Sequence, residues 1–181
     1  KFYTTPEQCF SDYIPQRKEN MTLLICENKD IWFNIRRLMA EESCYEFLGV
    51  HIDGVIYGQG NDVTGKGKFS SYARFLNTGK LSFLYCGDID RAGFDIFFRL
   101  CKEAAELDIV LFVPIYKKML ELADVSLLPE SDDKRGKDIE TDSLRELFSE
   151  EEIDKINDVL SADKRLPQEI INYEVLKNNS R

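Results

Sequence analysis

LSFLYCGDIDRAGFDIFF, residues 81–98, reads as an apolar strand that breaks at Gly87 into two aspartates one residue apart and then enters an amphipathic helix. Alternate residues of an extended chain point the same way, so Asp88 and Asp90 can present both carboxylates to one spot. Gly87 lets the backbone turn sharply between strand and acids. Two carboxylates ~4 Å apart repel by roughly 4 kcal/mol at an effective dielectric near 20, so a divalent cation, a proton or a basic neighbour is needed to keep them close. Hard oxygen donors of this kind favour magnesium or manganese over zinc. Read alone, the stretch leaves a second assignment open, in which Asp88 or Asp90 simply N-caps the following helix.

Working outward, MTLLIC at residues 21–26 is another short apolar run, followed by Glu27-Asn28 and a helical pattern through Ile31, Trp32, Ile35, Leu38 and Met39. Glu27 thus falls at a strand's carboxyl end, where open parallel sheets place functional side chains. Val55–Tyr57 reads as a further strand ending in Gly58-Gln59-Gly60, and Ile109–Val113 as another, closed by Pro114. Strands alternating with helices predict an α/β fold with a mostly parallel sheet of about four strands, flanked by helices. Right-handed crossovers would bring Glu27, Gly58, Asp88 and Asp90 to one sheet edge.

GNDVTGK at residues 60–66 nearly spells a phosphate-binding loop, but Gly67 stands where a Ser or Thr hydroxyl would meet magnesium. The domain reading is an N-terminal arm at 1–20, a catalytic core at 21–128, a charged solvated loop at 129–142 and a helical appendage at 143–181. Within the appendage, Ser149 and Glu152 form a capping box, and Pro167 is expected to open a last helix over Gln168–Leu176.

A chain of 181 residues, 43% hydrophobic and 31% charged, suffices for one substantial core. No run approaches a membrane span and the start carries no apolar signal core, so the expected location is the cytoplasm. A single histidine, His51, nearly excludes zinc sites and triads that need several. Five cysteines without metal-ligand spacing suit a reducing compartment. The net charge of −9 argues against strong binding of nucleic acid by the chain alone, since phosphate contacts rely on clustered Lys and Arg.

Glu27-Asn28, Gly58-Gln59-Gly60 and Gly87-Asp88-Ile89-Asp90 with Gly93-Phe94, each after a strand, together resemble a Toprim domain, the Rossmann-like metal-dependent fold of type IA and type II topoisomerases, primases and related nucleases. The likeness is greatest to the C-terminal Toprim domain of the Wadjet plasmid-defence nuclease subunit, a relative of the topoisomerase VI A subunit. It spans roughly residues 21–176, and Gln168-Glu169 is similar to that group's ending. Ile31 before Trp32, and Cys86 before Gly87, depart from the group's usual residues without touching the acids.

The resemblance implies Mg2+, with Mn2+ as a substitute, held by Asp88 and Asp90, and Glu27 as general acid/base or further ligand. Gly58, Gly60 and Glu169 are additional candidates. It implies cleavage of closed circular double-stranded DNA within a condensin-like SMC complex, and it is compatible with a homodimer. Topoisomerase relatives attack with a tyrosine from another domain, but Tyr3 and Tyr13 have no neighbouring base in the sequence, so activated water is the expected nucleophile here. DNA would be held mainly by an N-terminal winged-helix part outside this sequence, in keeping with a chain that begins at Lys1. Two other readings stand beside it: a haloacid-dehalogenase-like phosphatase, although that class wants its Asp-x-Asp on the first strand, and a non-catalytic Toprim module used for assembly.

Overall fold

The computed structural model describes residues 10–76, 79–131 and 141–180. Its elements in chain order are β1 (Ser11–Tyr13), β2 (Asn20–Cys26), α1 (Lys29–Glu42), β3 (Glu46–Phe47), β4 (Val50–His51), β5 (Gly54–Tyr57), α2 (Lys68–Leu76), β6 (Lys80–Cys86), α3 (Arg91–Glu103), β7 (Asp108–Leu111), α4 (Val113–Leu122), α5 (Glu150–Ser161) and α6 (Tyr173–Asn178). Short 3-10 turns include Gly60–Thr64 and Gln168–Ile170.

Five strands form the main sheet in the order β1-β5-β2-β6-β7. All neighbours are parallel except β1, which runs antiparallel to β5. The expected α/β architecture is present, with one strand more than the roughly four read from sequence. That strand, β1, lies in the segment expected to be an arm, and three residues are too few to show a hydrophobic period. β3 and β4 make a separate two-stranded pair.

The centre of the sheet is apolar on both sides, as parallel sheets covered by helices require. Leu23, Leu24, Ile25 and Cys26 of β2 are all buried. On one side Phe83 meets Phe69 of α2 edge-on at 4.9 Å, and Tyr85 packs on Phe97 of α3 at 5.5 Å. On the other, Trp32 of α1 lies 6.0 Å from Tyr57 of β5. No helix among the described residues is long and apolar enough to cross a membrane.

The C-terminal region is more than a docked helical pair. α5 opens with the expected capping box, Ser149 and Glu152 exchanging hydrogen bonds. The single helix expected over Gln168–Leu176 is instead a 3-10 turn at Gln168–Ile170, a break, and α6 capped by Asn172. The reason is the chain before it: Leu166 exchanges backbone hydrogen bonds with Ile89 at 3.0 and 3.1 Å, which draws residues 164–169 across the strand ends as a strap that is extended up to Pro167 and then enters the 3-10 turn. Of the charged loop, residues 132–140 lie outside the described residues. Its described beginning is pinned, Glu130 bridging to Lys164 and the Ser131 N–H donating to Asp163 O.

Candidate active site

Parallel register sets the site. Cys26 of β2 is level with Tyr57 of β5 on one side and Cys86 of β6 on the other. The alignment runs one residue further, since the Glu27 N–H donates to Cys86 O at 2.9 Å and the Gly58 N–H to Cys26 O at 2.8 Å. Glu27, Gly58 and Gly87 are therefore neighbours along one edge, with Asp88 and Asp90 just beyond.

Glu27 is half-buried, and its Oε2 accepts from the Tyr85 hydroxyl at 2.8 Å. Gly87 lies directly against this carboxylate. An added Cβ there would sit well inside van der Waals contact with Glu27 Oε2 and 2.9 Å from the Tyr85 hydroxyl oxygen, so only glycine allows the approach. Tyr116 of α4 fixes the same turn, its hydroxyl oxygen accepting from the Gly87 N–H at 2.9 Å.

Asp90 is buried and does N-cap α3, its Oδ1 accepting from the Gly93 N–H at 2.7 Å. Capping uses one oxygen; the other accepts from Ser131 Oγ at 3.1 Å. Of the two assignments left open by the sequence, the cap is the one the structure displays for Asp90. Asp88 faces the strap. Its Oδ1 accepts from the Gln168 N–H at 2.8 Å, and its Oδ2 lies 3.5 Å from Arg165 Nε. The strap also delivers Glu169, whose Oε1 accepts from the Asn28 side chain while Oε2 is buried without a hydrogen-bond partner.

The acids sense one another. Burial, then repulsion from Asp88, pushes the Glu27 carboxyl from 4.5 to about 7, against the pull of the Tyr85 hydroxyl; Asp90 adds further repulsion. Burial also pushes Asp88 from 3.8 to about 6, with Glu169 and Asp90 adding to it and the Gln168 N–H and Arg165 opposing it. Burial holds the Tyr85 and Tyr116 hydroxyls well above the usual tyrosine range, so neither is a ready nucleophile. The structure therefore brings Glu27, Asp88, Asp90 and Glu169 into one electrostatic unit. As placed, no group of three or more His, Cys, Asp or Glu side chains among the described residues is arranged to hold a metal ion. The donor set nevertheless fits a hard cation: four carboxylates, one with a buried oxygen lacking any donor, and two driven toward protonation by burial and by neighbouring carboxylates.

Gly58 and Gly60 lie at the end of β5 and in the turn after it. Gly58 packs against Ile25 and the Cys26 carbonyl, where an added Cβ would sit 3.2 and 3.4 Å away. Gly60, with φ of +58°, opens the 3-10 turn Gly60–Thr64, which Arg99 of α3 clamps through Thr64 Oγ1 at 3.1 Å and through Asn61. The near phosphate-loop is thus itself a helical turn packed on α3. His51 lies away from the acids, with Nε2 3.1 Å from Asp53 Oδ1. Among the described residues, Cys26, Cys44, Cys86 and Cys101 form no disulfide.

Sequence reasoning missed Tyr85, Tyr116, Ser131, Arg165 and Gln168. Tyr85 and Tyr116 look like core residues, Ser131 falls in the charged loop, Arg165 precedes the last expected helix, and Gln168 reads as the start of that helix and part of the family-like ending, with no role of its own. The usable signal was Gln168-Glu169 after Pro167, two polar residues where an apolar face was otherwise resuming.

No curated protein matches the chain. A family model described as the C-terminal part of the Wadjet protein JetD matches residues 8–180, which takes in every strand of the sheet, both acidic turns and the strap. The chain therefore belongs to the Wadjet JetD C-terminal family.

Proposed function

We propose that this chain is a magnesium-dependent Toprim nuclease domain that cleaves DNA, with closed circular plasmid as substrate, in a Wadjet-type defence complex containing condensin-like SMC subunits. The observation that carries the reading is the meeting of Glu27, Asp88, Asp90 and Glu169 at the carboxyl edge of a parallel sheet, with Glu27 and Asp88 held near neutral pH. Membership of the JetD C-terminal family supports it.

Asp88 and Asp90 would hold Mg2+ or Mn2+, with Glu27 and Glu169 beside them. Bound there, the ion would supply positive charge to offset what develops on the scissile phosphate. The chain's own groups do the rest. The Glu27 carboxyl sits at about 7 in the metal-free chain, and a bound cation would favour its ionised form, so Glu27 would take a proton from an attacking water and return one to the leaving oxygen. Tyr85 orients that carboxyl through its hydroxyl. Water is the preferred nucleophile, because the tyrosines nearest the acids, Tyr85 and Tyr116, are buried and hydrogen-bonded.

A second reading, a non-catalytic assembly module, draws on one observation: both Asp90 oxygens already have partners within the fold. Manganese titration by calorimetry separates the two. The native chain is compared with Glu27→Gln, Asp88→Asn and Asp90→Asn, the last keeping a good N-cap. The nuclease reading expects each substitution to weaken binding by about tenfold or more, as loss of a charged oxygen ligand should. A native chain that ignores manganese at millimolar concentration, or a Glu27→Gln variant that binds as the native does, would sink it.

A further inference from the structure

Among the described residues, four buried side-chain polar atoms have no hydrogen-bond partner, and three of them lie on the strap: Arg165 Nε, Gln168 Nε2 and Glu169 Oε2. Buried polar groups are normally paired, so a cluster of unpaired ones beside an acidic site calls for a ligand that completes them. Two are donors, which a cation cannot satisfy. An oxyanion can.

We infer that Arg165 is a phosphodiester-binding residue of this site, holding a nucleic-acid phosphate next to the carboxylates. This rests on the nuclease reading given above. Arg165 Nε is 3.5 Å from Asp88 Oδ2, close enough for ion pairing yet without a formed hydrogen bond, and the side chain is 39% exposed. The side chain thus stands beside the acids with Nε buried and other atoms exposed. Its neighbours are engaged elsewhere: Lys164 Nζ donates to the Val125 and Ser126 carbonyls, and Arg91 pairs with Asp163 at 3.2 Å.

Charge explains the need. Four carboxylates repel a phosphodiester, and a single divalent cation offsets only part of that charge. A planar guanidinium with several donors suits phosphate oxygens and stays charged at any working pH. Its backbone is fixed, because the Arg165 N–H donates to Pro129 O at 3.0 Å and the next residue is bridged to Ile89. With a cation on Asp88, the guanidinium loses its attraction to that carboxylate and is available to the phosphate.

The test uses this chain with Mn2+ and dimethyl phosphate, the simplest phosphodiester, and reads Mn2+-enhanced 31P relaxation in protein excess. Calorimetric Mn2+ affinity is measured in parallel for the native chain, Arg165→Met and Arg165→Lys. The expected result is that Arg165→Met cuts the enhancement by about tenfold, as loss of a charge-assisted hydrogen bond would. Its Mn2+ affinity should be equal or tighter, because a competing cation has left Asp88. Arg165→Lys should retain Mn2+ and lose part of the enhancement, which decides the matter if the Met variant does not fold.

Unchanged enhancement in the variants would overturn the inference and leave the nuclease reading standing. So would a native chain that binds Mn2+ but brings no phosphodiester to it, or loss of Mn2+ together with enhancement, which would make Arg165 structural. A native chain that binds no Mn2+ overturns the nuclease reading and this inference with it.

Discussion

Raising the pH should destabilise the metal-free chain, and Glu27 sets most of the size. Its carboxyl sits at 4.5 in a solvated chain and at about 7 in the fold, so the folded state holds its proton more tightly than the unfolded state does. Between those values the native protein binds more protons, and stability must fall as pH rises. The contribution is complete below 4.5 and gone above the folded value. A carboxyl moved that far is worth about 3 kcal/mol, an upper figure because the acids are coupled. Asp88, moved from 3.8 to about 6, adds a loss of the same sign in a lower window.

Urea unfolding followed by fluorescence of Trp32, the sole tryptophan and buried in α1, measures this directly. In chelator, Glu27→Gln should match the native chain at about pH 4 and exceed it by about 3 kcal/mol at about pH 8, since glutamine keeps the shape without the charge. If native and variant change in parallel from about pH 4 to about pH 8, Glu27 is not held protonated by its neighbours, and the reasoning fails.

Gly87→Ala should lower stability by about 1–3 kcal/mol, because the new methyl meets the Glu27 carboxylate and the Tyr85 hydroxyl; chemical denaturation checks the loss and calorimetry the weaker Mn2+ binding that should accompany it. Tyr85→Phe removes the hydroxyl that favours ionised Glu27, so Glu27 should titrate higher than about 7 and the pH midpoint for Mn2+ binding should move upward; an unmoved midpoint would show that the hydrogen bond does not tune this acid. Ser149→Ala deletes the α5 capping box and should cost about 1 kcal/mol in urea unfolding while leaving Mn2+ affinity alone, which controls for stability loss far from the site.

Periodicity made the central strands and the amphipathic helices legible, because burial on both faces leaves unbroken apolar runs such as residues 21–26. The capping box at Ser149 was equally plain, being a local pairing three residues apart. β1 was not, since three residues, two exposed and one half-buried, carry no pattern and pair only because β5 offers a free edge. The break after Ile170 was missed for a related reason. Helical spacing continues through it in sequence, but Leu166 is tied to Ile89 across the sheet and the chain must turn to reach α1 with α6.

The acids divide along the same line. By itself the sequence determined that Glu27, Asp88 and Asp90 end two strands, because each follows an apolar run directly and a parallel sheet aligns such ends. Only the tertiary structure decided that Arg165 and Gln168 approach Asp88, that Glu169, a candidate from the resemblance, reaches Asn28, that Tyr85 holds Glu27, and that Asp90 caps α3 while also accepting from Ser131. These contacts link residues as far apart as Asn28 and Glu169, and a long-range approach of that kind leaves no local spacing to read. Their chemistry is a property of shared burial: a carboxyl reaches about 7 only where the fold excludes water and places another charge beside it.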